Sequence, residues 1–109
     1  MRYLMLYHPD PSATPHPNIE TEMGRFIEES IAKGTLLSTG GIRGGSAGTR
    51  VRHANGKVTV TDGPFAEAKE LVGGFALCEL PSKEAAIEYA RRFLALVGGG
   101  ESEIHQLDG

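Results

Sequence analysis

An α+β fold is predicted by three features of this sequence: two helical patterns each flanked by strand-like runs, a hairpin signal between the two halves, and enough apolar residues for one core. Hydrophobic residues make up 39% of the 109 and charged residues 23%, which argues against general disorder. At this length folding buries about two-thirds of the surface of the unfolded chain, enough for one core and too little for two.

The elements follow in order. Residues 2–8 read as a strand with Tyr3, Met5 and Tyr7 on one face and Leu4 and Leu6 on the other; both faces are mostly apolar, so cover is expected on both sides. Prolines at 9, 11, 15 and 17 make the next stretch a loop. Asn18 is placed to cap a helix, with Glu20 and Glu22 in the first turn, where the helix dipole favours negative charge. Ile19, Met23, Phe26, Ile27 and Ile31 recur at helical spacing, and Lys33-Gly34 is a stop. Residues 35–39 suggest a short strand, and residues 40–48 a flexible connection. The runs 49–53 and 57–61 flank Asn55-Gly56, the dipeptide favoured by a type I′ turn, and so predict a hairpin. Residues 66–70 suit one helical turn, and residues 71–80 a strand with Phe75 and Leu77 opposite Ala76 and Cys78. Pro81-Ser82 opens a second helix with Ser82 as its cap. Ala86, Tyr89, Ala90, Phe93 and Val97 form that helix's apolar stripe, Gly98-Gly99-Gly100 ends it, and residues 104–107 make a last strand.

The order β, α, β, hairpin, β, α, β predicts a ferredoxin-like sandwich with an inserted hairpin, occupying residues 1–109 as one domain. Both helices would cover one sheet face. The other face would leave apolar surface open, so a two-fold homodimer packing these faces together is expected.

Composition excludes several classes. A net charge of -3 and a pI near 5.8 disfavour nucleic-acid binding. Cys78 is the one cysteine, which excludes an internal disulfide and a disulfide-stapled scaffold. The apolar start is too short for a signal peptide or a membrane span, so the expected compartment is the cytoplasm, with no membrane partner. No HxH, HxxxH or Cys/His cluster occurs, and no metal site or cofactor is expected. The Gly-rich stretch 40–48 fits neither GxGxxG nor a P-loop.

The run Thr61-Asp62-Gly63-Pro64-Phe65-Ala66-Glu67-Ala68-Lys69-Glu70, followed by Gly73-Gly74-Phe75, resembles the signature of the DGPF proteins in the YCII-related family. The order of elements around it is also similar. The resemblance implies a dimeric ferredoxin-like α/β barrel and no settled reaction. A few YCII-like relatives are dehydrochlorinase-like with a proposed His/Asp pair, and other DGPF proteins are encoded beside extracytoplasmic-function sigma factors. Those YCII-like relatives carry a histidine near the start of the first long helix; this chain has Met23 there, which leaves that pair without its histidine.

Asp62 is the first candidate for chemistry. It ends a hairpin strand beside Gly63 and Pro64, and a partly desolvated carboxylate near Phe65 would suit acid–base work. The competing role is a turn aspartate that bonds backbone N–H groups. His8, at the end of the first strand, is the second candidate, against a plain strand-end polar residue. Phe65, Glu67 and Lys69 are candidate substrate-binding residues, with Lys69 facing an anionic substrate, against a solvated charged turn. Arg43, Arg50 and Arg52 could hold an anion, but alternating arginines along a hairpin more simply form a solvent face. Two functions are compatible with these residues. One is a homodimer that binds a small organic molecule, with or without lyase- or isomerase-type turnover. The other is a non-catalytic regulatory partner linked to a sigma factor.

Overall fold

The computed structural model describes residues 1–43, 48–63 and 72–109. Strand β1 (Arg2–His8) leads through the proline loop to helix α1 (Ile19–Ala32) and strand β2 (Leu36–Gly41). The hairpin strands β3 (Thr49–Ala54) and β4 (Lys57–Asp62) follow, then β5 (Gly74–Glu79), helix α2 (Lys83–Val97) and β6 (Glu101–Gln106).

The main sheet has the order β2-β5-β1-β6, and the hairpin forms a separate two-stranded sheet. Strands β1 and β2 both pair antiparallel with β5, so they run parallel to each other with β5 between them. Likewise β6 pairs antiparallel with β1. These are two interlocked strand–helix–strand units, an α+β arrangement of the ferredoxin-like kind.

Strand alternation decides which side chains meet the helices. The register sets Tyr3 against Cys78 and Met5 against Ala76 and Ile104. On this face Tyr3, Met5, Leu36 and Cys78 are buried together with Phe26 of α1 and Ala86, Tyr89 and Ala90 of α2. The Phe26 and Tyr89 rings stack at 5.0 Å between centroids and join the two helices. The opposite face carries Leu4 against Leu77 and Leu6 against Phe75, all half-buried, with Glu101, Glu103 and His105 alongside on β6.

Several boundaries differ from the sequence reading. Strand β2 runs on to Gly40 and Gly41, which pair with Phe75 and Gly74. Its register shifts between Leu36 and Ser38, and Leu37 is exposed. Strand β6 starts at Glu101, because Glu101 and Ser102 pair with His8 and Tyr7; a polar edge strand carries too little apolar signal to be recognised. Ser82 caps α2 by accepting from the Ala85 N–H at 3.1 Å. Asn18 precedes α1 but makes no side-chain cap; its N–H is instead taken by His16 Nδ1 at 3.0 Å. Ile31, in step with the α1 stripe, is exposed, whereas Ser30 is buried and donates to the Phe26 carbonyl at 2.6 Å. The hairpin turn matches expectation: Asn55 and Gly56 have φ of 54° and 71°, as a type I′ turn requires. The turn expected at residues 66–70 lies outside the described residues.

Candidate functional site

A cavity of about 270 Å³ lies between the helix-facing side of the sheet and the two helices. Its floor is Met5 and Tyr7 of β1 and Ala76 of β5, and its roof is Met23, Phe26 and Ile27 of α1 with Tyr89, Ala90 and Phe93 of α2. Gly40, Gly41, Gly73 and Gly74 form one wall. These glycines let two backbones approach where side chains would fill the space. A Cβ on Gly74 would stand 3.0 Å from the Gly40 carbonyl oxygen, and one on Gly73 would stand 3.0 Å from Pro9 Cγ. The Ile42 N–H donates to the Gly73 carbonyl and the Gly73 N–H to the Tyr7 carbonyl, which fixes that wall.

Among the described residues no Asp, Glu, His, Lys or Arg lines the cavity. Its polar side chains are the two tyrosines, Thr39 and Ser102. Thr39 is already engaged, donating to the Phe75 carbonyl at 2.8 Å. Tyr7 donates to the Gly99 carbonyl at 3.2 Å, and its ring meets Phe93 edge-on at 5.1 Å. Burial, with Asp10 adding to it, raises the Tyr7 hydroxyl above its ordinary pKa, and burial raises Tyr89 in the same way. Both hydroxyls therefore stay neutral at physiological pH. The described lining accommodates an uncharged, largely apolar molecule and itself offers a carboxylate no cation in return for its lost hydration.

Asp62 and His8 lie in different sheets and outside the described lining of this cavity. Asp62 is exposed, and its carboxylate accepts from Thr49 Oγ1 at 2.8 Å across the hairpin. Phe65, Glu67 and Lys69 lie outside the described residues, as does Pro64. His8 is largely covered, and its Nε2 donates to Glu103 Oε1 at 3.1 Å. His105 Nε2 bonds the other oxygen of Glu103. These two hydrogen bonds, from His105 first and His8 second, hold the Glu103 carboxyl below the ordinary carboxylate range. Sequence reasoning missed Glu103 because it placed residues 101–103 outside a strand. The signal was the alternation Glu101, Glu103, His105, which sets all three on one face of an edge strand. Cys78 is buried, and desolvation pushes its thiol pKa up to about 11, so it is a core residue and no nucleophile.

Residues 1–99 match the YCII-related domain family. The chain belongs to that family. In this YCII-related chain Gly73-Gly74-Phe75, the described end of the quoted signature, lines the cavity. Met23 belongs to the same lining. The chain is also similar to "Uncharacterized protein R00369" of Rhizobium meliloti (strain 1021), at 44% identity over 46 residues. That match covers 42% of this chain and 37% of the relative, so it spans little more than a third of the relative's length. No described helix is long and apolar enough to cross a membrane.

Proposed function

We propose that this YCII-related protein is a homodimer that binds a small, uncharged, apolar organic molecule in the cavity between sheet and helices. The carrying observation is the lining: aromatic and aliphatic side chains with four glycines, and no charged group among the described residues. Binding is favoured over turnover. General acid–base catalysis needs a group that titrates near neutrality, and Asp62 and His8, the sequence candidates, stand outside the described lining. The homodimer half of the proposal is supported by the open sheet face, where Leu4, Leu6, Phe75 and Leu77 form one apolar patch.

Thermal unfolding against a panel of neutral aromatic compounds and matched carboxylates tests the ligand class. Neutral members are expected to raise the midpoint and carboxylates to leave it unchanged. Ala76→Leu, which extends a side chain into the cavity, is expected to fold and to lose the response. A response confined to carboxylates, or retained in Ala76→Leu, would move the site elsewhere. No response from any compound, together with a stable complex with an extracytoplasmic-function sigma factor, would favour the regulatory alternative.

A further inference from the structure

The β3–β4 hairpin forms its own two-stranded sheet, and a two-stranded hairpin alone is marginally stable in water. Its faces are unlike. The register sets Val51 against Val60 and His53 against Val58, so the three valines share a face, while Arg50, Arg52 and Lys57 occupy the other. Those valines are 69%, 60% and 63% exposed for Val51, Val58 and Val60. Three adjacent valines this exposed, with no described residue covering them, are the signature of a surface meant to be covered.

Area and charge indicate what covers it. A globular monomer of this mass exposes about 5,800 Å², whereas this chain exposes 7614 Å². Its radius of gyration is 16.1 Å, against about 13 Å for a compact chain of this length. The excess surface is more than twice the roughly 800 Å² that each partner contributes to a standard interface. Arg50, Arg52 and Lys57 against Asp62 give the hairpin a formal charge of +2, leaving -5 on the rest of a chain whose total is -3. The open sheet face carries Glu101 and Glu103 along β6, beside its apolar patch.

We propose that the β3–β4 hairpin is a dimer arm that lays its Val51–Val58–Val60 face on a second copy of this chain, along the Glu101–Glu103 rim of that copy's open sheet face. The inference rests on the homodimer reading above. In a face-to-face pair with its two-fold axis along the strands, β2 of one copy stands over β6 of the other. The hairpin, which follows β2 in the chain, then starts beside the acidic rim with its valine face turned to the partner; the Arg50, Arg52 and Lys57 face turns outward and adds a longer-range attraction to an otherwise acidic chain.

Sedimentation equilibrium of the full chain tests this with wild type, Val51→Thr/Val58→Thr/Val60→Thr and Arg52→Glu, each at low and high salt. Threonine keeps the β-branched shape, so the triple variant is expected to retain its far-UV circular dichroism. Its dimer dissociation constant is expected to rise at least about a hundredfold. Arg52→Glu and high salt are each expected to raise it severalfold. A wild type that is monomeric throughout would overturn the homodimer reading and the arm with it. A wild-type dimer whose dissociation constant is unchanged in the triple variant would overturn the arm alone. Should the triple variant fail to fold, an Arg52→Glu dimer as tight as wild type would do the same.

Discussion

At the residue scale, ionisable groups in this chain are set by their immediate partners. Asp62 accepts from a threonine hydroxyl on an exposed hairpin, and Asn preserves that acceptor. Asp62→Asn is therefore expected to change stability by less than about 0.5 kcal/mol and to leave any ligand-induced rise in midpoint intact. A lost response with unchanged stability would return Asp62 to the working site. Glu103 gives a pH prediction. Its folded carboxyl titrates lower than in the unfolded chain, so its stabilisation is complete above the ordinary carboxylate pKa. That stabilisation is lost as pH falls through the lowered folded value. Glu103→Gln should accordingly flatten the acid limb of a stability–pH curve relative to wild type. Cys78, buried with a thiol pKa of about 11, should stay unmodified by a thiol reagent at pH 8 until the chain is denatured.

At the element scale, the helix ends make a matched pair. Ser82→Ala removes a real cap and should cost about 1 kcal/mol. Asn18→Ala removes no side-chain cap bond and should cost much less, as paired denaturant melts would show. Gly98 ends α2 at φ 84°, and a Cβ there would stand 1.8 Å from the Thr14 carbonyl oxygen. Gly98→Ala should therefore cost more than about 2 kcal/mol, since it adds a backbone clash to a left-handed conformation. These elements also explain what could be read in advance. Strand β1, the apolar stripe of α2 and the Asn55-Gly56 turn were legible because periodicity or turn chemistry marks them locally. The start of β6 was not, because Glu101-Ser102-Glu103 becomes a strand only through pairing with β1. The cavity was invisible for a related reason: its glycine wall joins residues 40–41 to residues 73–74, and no local pattern announces that meeting.

At the scale of the whole molecule, the proposed ligand-binding and docking roles fall on two separate surfaces. The helix-facing side of the sheet holds the core and the cavity, while the open face carries the half-buried Leu4, Leu6, Phe75 and Leu77 and the hairpin carries three exposed valines. A substitution on one side should leave the other side's behaviour intact. Ala76→Leu is expected to alter ligand response without shifting the dimer dissociation constant. Val51→Thr/Val58→Thr/Val60→Thr is expected to do the reverse, with both readouts taken on the same preparations. The strand order carries one more consequence. Central strand β1 is made first, yet both its neighbours, β5 and β6, belong to the last third of the chain. During synthesis the hairpin and α1 can form from local contacts, but the main sheet has no centre until residues beyond 74 have emerged. Folding then closes across nearly the full chain length, the kind of long-range pairing that slows folding, so newly made N-terminal halves wait with Leu4, Leu6 and the valine face uncovered.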